Sequence, residues 1–250
     1  VAYRSVFVSD IHLGTIACKH NEFLQLLKDL EQSPPENLYL VGDILDLWKL
    51  GKGFTWKPEH NTIVQKILRL SRKGVNVHYI IGNHDEFFRS MPDGFALGNI
   101  TVSDDVEYTT VRDKKFLIIH GDQYDTFLIS NNILAKIGSF AYDALVVLNT
   151  ALSFIRRKLG LPYWSFSKYV KHKAKAATDV IDTFETTMCE ALKRKGYDGV
   201  ICGHIHTAKI LRQYTGFTYM NCGDWTESCT AIVETMDGDF SILEYGTRTK

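Results

Sequence analysis

The sequence predicts an α/β protein with a parallel sheet at its start and further strands after a long helical stretch. Three observations carry this prediction. Strand-length apolar runs alternate with amphipathic helix-length runs over the first 81 residues, the pattern of a doubly wound parallel sheet. Five apolar runs stop abruptly at a short polar motif, four of them with a glycine beside the polar residue. Finally, a series of short strand-like runs closes the chain.

Ser5-Val6-Phe7-Val8 is the first strand, and Ser9-Asp10-Ile11-His12 follows it. If strand geometry persists, Asp10 and His12, two residues apart, project from one face. Phe23, Leu26, Leu27 and Leu30 lie at helical spacing within 22–30, and Ser33-Pro34-Pro35 ends that helix. Leu38 to Val41 is a buried strand that runs into Gly42-Asp43, with Asp46 three residues on. A helix is expected over Trp56 to Arg72, with Ile63, Ile67, Leu68 and Leu70 partly on one face and Gly74 as its C-terminal cap. Val75 to Ile81 is the third strand, delivering Gly82-Asn83-His84-Asp85. Taken alone, that tetrad suits a tight turn as well as a site, because Gly and Asn tolerate unusual backbone angles and Asp bonds its own backbone.

Further strands are expected at Ile100–Val102, Glu107–Val111 and Lys115–Ile119, the last ending in His120-Gly121-Asp122. Residues 126–195 read as a helical insertion within one 1–250 domain, broken at Gly160-Leu161-Pro162. Arg156, Arg157, Lys158, Lys168, Lys171, Lys173 and Lys175 outnumber the single acid Asp179 between Ala151 and Val180, with Tyr163, Trp164, Phe166 and Tyr169 interleaved. A solvated face with an aromatic seam explains this, and so does a cap that meets an anionic substrate or membrane surface. Gly199 to Cys202 then leads into Gly203-His204-Ile205-His206. Runs at Ile210–Gln213, Thr218–Cys222, Thr230–Glu234 and Phe240–Tyr245 suggest a second sheet, with Asp237-Gly238 as a hairpin turn.

Composition excludes several classes. Lys+Arg and Asp+Glu both number 29, so charge does not mark a nucleic-acid binder, and none is expected as a partner. Five cysteines without Cys-x-x-Cys spacing argue against a disulfide framework or a structural zinc, and favour reduced thiols in the cytoplasm. No signal peptide is expected, and no apolar run reaches membrane-spanning length.

Asp10 with His12, Asp43, Asn83 with His84, His120, and His204 with His206 thus stand at five strand ends. Polar groups gathered at one sheet edge stay unsatisfied or repel unless a cation joins them. In order and spacing, Asp10-Ile11-His12, Gly42-Asp43, Gly82-Asn83-His84-Asp85, His120-Gly121-Asp122 and Gly203-His204-Ile205-His206 resemble the full signature of the calcineurin-like metallophosphoesterases. The resemblance implies a two-sheet αββα sandwich flanked by helices, holding two divalent transition metals. By resemblance, Asp10, His12 and His206 take one metal, Asn83, His120 and His204 the other, and Asp43 bridges them. Oxygen and imidazole donors without thiolate suit Mn, with Fe or Zn as alternatives. Two cations about 3.5–4 Å apart activate water and clamp an in-line displacement at phosphorus. His84 then acts as the catalytic imidazole, Asp85 holds its tautomer, and Asp122 is either a partner of His120 or a turn carboxylate.

Asp10-Ile11-His12-Leu13-Gly14, Gly42-Asp43-Ile44-Leu45-Asp46-Leu47-Trp48, His120-Gly121-Asp122-Gln123 and the helical insertion are most similar to the UDP-2,3-diacylglucosamine hydrolase branch of that superfamily. The branch implies a nucleotide-lipid diphosphate substrate, cleaved to UMP and lipid X in lipid A biosynthesis. It also implies a lid over the acyl chains, with Arg156, Arg157, Lys168, Lys171 and Lys175 as substrate-binding candidates. An enzyme at the cytoplasmic face of the inner membrane of a Gram-negative bacterium is the matching location. Many members of the branch carry Arg where this chain has His84, the form of general phosphodiesterases and phosphatases. Another phosphodiester or phosphomonoester is therefore the competing substrate class. An inert scaffold would have lost ligands, and none is missing.

Overall fold

The computed structural model describes residues 2–50, 53–92, 94–127, 181–214 and 216–245. The larger part of the expected insertion, with Arg156, Arg157, Lys168, Lys171 and Lys175, lies outside them; within it, residues 181–194 are helical. The chain divides into two compact units, one formed by residues 1–122 and 188–250 and the other by 123–187.

Two mixed sheets build the larger unit. β1 (Tyr3–Val8), β2 (Asn37–Val41), β3 (Asn76–Ile80) and β5 (Ile100–Ser103) run parallel, with β4 (Ala96–Leu97) antiparallel to β5 at one edge. In the second sheet β7 (Lys115–Ile119), β8 (Gly199–Cys202) and β10 (Phe217–Asn221) run parallel between the antiparallel edges β6 (Asp105–Thr109) and β9 (Lys209–Tyr214). The C-terminal run is not a sheet of its own, as the sequence suggested. β9 and β10 extend the second sheet, whereas β11 (Thr230–Thr235) and β12 (Phe240–Glu244) cross to the first, where β11 pairs antiparallel with β1. The β11–β12 hairpin turns at Gly238, whose φ of +79° an L side chain rarely adopts.

Why the parallel strands read as unbroken apolar runs is now plain: both of their faces are covered. Val6, Val8, Leu38, Leu40, Val77 and Tyr79 face one cluster, shared with Phe23, Leu26, Leu27 and Leu30 of α1 (His20–Gln32) and Ile63, Ile67 and Leu70 of α2 (Pro58–Arg72). Phe7, Tyr39, Val41 and Ile80 face the other way, against Tyr108, Phe116, Ile118, Ile201 and Met220 of the second sheet. Each such buried side chain contributes roughly 1.5–3 kcal/mol. The layers are therefore helices on the first sheet and the first sheet on the second.

Local chemistry sets the helix ends. α2 starts at Pro58, two residues later than the periodicity predicts, because proline is preorganised for the first helical position. Trp56 stays outside and its Nε1–H donates to Asn61 Oδ1 at 2.8 Å. At the other end Val75 N–H bonds Leu70 O (3.2 Å) and Gly74 N–H bonds Ser71 O (3.1 Å), with Gly74 at φ +96°. That double closure, sealed by buried Leu70 and Val75, turns the chain directly into β3.

Candidate metal centre

β1, β2 and β3 are parallel neighbours in one sheet, and β7 and β8 are parallel neighbours in the other. Their C-terminal ends deliver all five polar motifs. The delivery does not follow the strand geometry expected at Asp10 and His12. β1 ends at Val8, and Asp10 and His12 adopt φ of +52° and +51°. Asp43, His204 and His206 are left-handed too, at +54°, +72° and +53°. Among the described non-glycine residues only Asp113 and Cys229 share that conformation. Non-glycine residues hold such angles where the surroundings over-determine them, typically at functional sites.

Close approach does the rest. A Cβ added to Gly42 would lie 2.2 Å from His120 Nδ1, one at Gly82 would lie 2.2 Å from Asp43 Oδ1, and one at Gly203 would lie 2.5 Å from Asp10 Oδ2. The glycines of these motifs are thus clearances for the side chains of His120, Asp43 and Asp10. Backbone bonds lock the loops together: Asp10 N–H to Gly42 O (3.1 Å), His12 N–H to Asp43 O (2.9 Å) and Gly203 N–H to His120 O (3.1 Å).

Both key carboxylates divide their labour. Asp10 Oδ2 accepts the His204 N–H at 3.0 Å, while Oδ1 points at His206 Nε2 (3.2 Å) and His12 Nε2 (3.8 Å). Asp43 Oδ1 accepts the His84 N–H at 2.9 Å, and Oδ2 faces His120 Nε2 (3.4 Å), His12 Nε2 (3.9 Å) and His84 Nε2 (3.9 Å). Asp10, His12 and His206 place one donor atom each within 4.8 Å of one another, and so do Asp43, His120 and His204; His12, Asp46 and His84 make a third such group, which shares His12 with the first. Asp43 Oδ2 therefore stands between the first two groups.

Of the nine buried side-chain atoms without a hydrogen-bond partner among the described residues, four belong to the strand-end motifs: Asp10 Oδ1, His12 Nε2, Asn83 Oδ1 and His120 Nε2. Orphaned buried donors and acceptors are rare and costly. Three of these four, on Asp10, His12 and His120, are oxygen and imidazole donors of the groups that meet at Asp43, so the residues present fit divalent cations. Titration points the same way. Burial disfavours the charge on Asp43, yet the adjacent His120 and His84 hold its carboxyl well below the usual range. Burial likewise opposes a charge on His120, but Asp43 and Asp10 overcome it and raise the imidazole to about 10. Asp10 is pushed down against its own burial by His206, and His206 is pushed up against its burial by Asp10. The carboxylates draw positive charge into the cluster, and a divalent cation held there would supply that charge without a proton.

The structure decides one partnership left open and corrects one that was expected. Asp122 does not bond His120. The His120 Nδ1–H donates to Val41 O at 3.1 Å, which leaves Nε2 facing Asp43, and Asp122 pairs with Arg89 at 2.9 Å. Nor does Asp85 hold His84. It is fully buried, and accepts the Tyr79 hydroxyl (2.5 Å), Gly82 N–H (2.6 Å) and Ile44 N–H (2.9 Å). Burial, with Asp43 adding, pushes its carboxyl up. Asp85 thus ties the third motif to the second. The His84 Nδ1 partner is Asp46, at 3.0 Å, and Trp48 stacks on the same imidazole with centroids 4.1 Å apart. Asp46 also lies 3.5 Å from His12 Nδ1. Its spacing three residues beyond Asp43 was the only sequence signal; adjacency to His84 wrongly favoured Asp85.

This correction makes a prediction. Asp85→Ala leaves three buried donors unpaired and is expected to cost about 3–5 kcal/mol. Thermal unfolding should shift down by about 10 °C. Turnover per folded molecule at 25 °C should stay within about fivefold. A large fall in turnover with unchanged unfolding temperature would return Asp85 to the role of orienting His84.

A sequence profile described as calcineurin-like phosphoesterase matches residues 3–208. The UDP-2,3-diacylglucosamine hydrolase of Neisseria meningitidis serogroup C is 28% identical over 242 residues, covering 95% of each chain. The protein of that name from Haemophilus influenzae is 25% identical, covering 96% of this chain and 99% of its own. Among solved structures, an archaeal phosphodiesterase aligns over 96% of this chain and 98% of its own with a TM-score of 0.46 at 13% identity.

Proposed function

This chain belongs to the calcineurin-like phosphoesterases, and from that premise we propose that it is a binuclear metal-dependent diphosphatase cleaving UDP-2,3-diacylglucosamine or a closely similar nucleotide-lipid diphosphate. The observation that carries the reading is Asp43 Oδ2 standing within 3.4–3.9 Å of His120 and His12, one from each donor group. Asp10, His12 and His206 would hold one cation, Asn83, His120 and His204 the other, and Asp43 both. Mn suits these donors. When bound, such a pair lowers the pKa of water and neutralises the phosphoryl oxygens.

The remaining work falls to the chain's own groups. His84 Nε2 faces Asp43 Oδ2, on the side where a phosphoryl group would sit. Asp46 lies at hydrogen-bond distance from its Nδ1 and fixes the ring, which turns Nε2 toward the reacting group for electrostatic or general acid–base work. Trp48 limits the ring's tilt.

The lengthwise match to the two hydrolases supports the lipid substrate. An amphiphilic substrate fits an enzyme that meets the cytoplasmic face of the inner membrane peripherally. Among the described residues no helix is long and apolar enough to cross a membrane. His84 favours a second reading, hydrolysis of another phosphodiester or a phosphomonoester.

One experiment tests both. Purified protein is expected to bind about two transition metals per chain, and chelation should reduce hydrolysis of bis(p-nitrophenyl) phosphate to about 1% or less, with Mn restoring it. UDP-2,3-diacylglucosamine is assayed beside that reporter. Preferred cleavage of the lipid supports the first reading, and cleavage of the reporter alone supports the second. Metal content near zero after Mn loading would sink both.

A further inference from the structure

A cleft of about 430 Å³ opens beside the Asp10, His12 and His206 group, within the size range of small-molecule sites. His12, Asp46 and His206 line it, and Lys49 lines it too. Lys49 is the one permanently cationic side chain among the lining residues. It is exposed, and its ammonium makes no ion pair or hydrogen bond with any described residue. The two lining hydroxyls are already committed. Thr15 Oγ1 donates to His12 O at 3.0 Å, and Thr226 Oγ1 donates to Asp224 Oδ1 at 2.8 Å. Lys49 is therefore the uncommitted side-chain donor of the cleft.

Its position is fixed by the catalytic loops. Lys49 ends a single 3-10 turn, Leu47–Lys49. Asp46 N–H bonds Leu13 O (2.9 Å), Leu47 N–H bonds His84 O (3.1 Å) and Lys49 N–H bonds Asp46 O (3.3 Å). The turn that presents Asp46 and Trp48 to His84 thus also places Lys49 in the wall of the cleft.

We infer that Lys49 forms a subsite for a second anionic group joined to the scissile phosphoryl group, so that the site selects organic diphosphates over compounds with one phosphoryl group. The inference rests on the phosphoesterase reading and narrows its substrate class. An ammonium is a compact point charge suited to a phosphate that is held but not cleaved. Nearer the ligand clusters, carboxylates prevail, and the bound cations there would take the scissile group. Lys49 lies off the donor groups, so losing it should weaken ligand binding without releasing metal.

The test uses equilibrium binding, which does not depend on turnover. Methylenediphosphonate and methylphosphonate, the non-hydrolysable counterparts of an organic diphosphate and monophosphate, are titrated calorimetrically into Mn-loaded wild-type protein, Lys49→Ala and Lys49→Arg. Wild type is expected to bind the diphosphonate about ten- to a hundredfold more tightly than the monophosphonate, the range for one charge-assisted contact. Lys49→Ala should bring that ratio to within about threefold of unity, and Lys49→Arg should keep most of it, with metal content unchanged in both. A wild-type ratio near one, or a ratio unaltered in Lys49→Ala, overturns the subsite. Failure of the Mn-loaded wild type to hydrolyse any phosphoric ester would instead overturn the underlying reading, and is scored separately by the reporter assay.

Discussion

Replacing Asp43 by asparagine is expected to reduce turnover by about 10³-fold or more and to lower bound metal from about two per chain toward one. The substitution is nearly isosteric, and asparagine tolerates the left-handed backbone at this position, where φ is +54°. Backbone strain is therefore not the cause of any loss. What changes is one oxygen. Asp43 Oδ1 is already spent on the His84 N–H, and Oδ2 is the atom shared between His120 and His12. An amide must turn either its NH₂ toward the cations or its NH₂ toward the His84 N–H, and both juxtapositions are repulsive. Elemental analysis, the unfolding temperature and kcat together check the result. Two metals per chain with more than a tenth of wild-type turnover would remove Asp43 from the bridging position.

His84→Ala should lower kcat by about 10²–10⁴-fold while both metals stay bound, because the imidazole belongs to neither of the two donor groups that Asp43 stands between. Asp46→Asn should reproduce part of the loss, about 10–100-fold, since it leaves the ring in place but weakens the partner of Nδ1. Both losses should fall on kcat more than on KM, the signature of an interaction made mainly in the transition state. Metal loss in His84→Ala would contradict this assignment of the ring.

How far the sequence reveals these features depends on the distance over which each is decided. β7 and β8 and the buried face of α1 are legible residue by residue, since burial on both sides of a strand and on one side of a helix leaves a local period. The stops at Gly42, Gly82 and Gly203 are legible because a side chain there would collide with His120, Asp43 or Asp10. Strand partnership is not local. Nothing in 230–244 marks the hairpin for β1 rather than β10, because that choice depends on a ladder between Phe7 and Ile232 far apart in the chain. β6 lies two residues earlier than its apolar pattern suggests, set by its register against β7. Side-chain partnership is similarly remote: the tetrad places Asp85 next to His84 in sequence, but the strand end turns it inward to Tyr79 and leaves Asp46 to meet the ring.

The left-handed backbone at Asp10, His12, Asp43, His204 and His206 carries a wider consequence. Each costs an ordinary residue about 1–2 kcal/mol. For five ordinary residues that is about 5–10 kcal/mol, comparable with a domain's whole net stability of about 5–15 kcal/mol. Durability and chemistry therefore pull against each other at these positions, where glycine or asparagine would let the chain rest more comfortably. A lineage released from hydrolysis would be expected to drift there first, with its core untouched. An inert descendant of this fold would be recognised by glycines and asparagines at these five places, long before its hydrophobic layers showed any change.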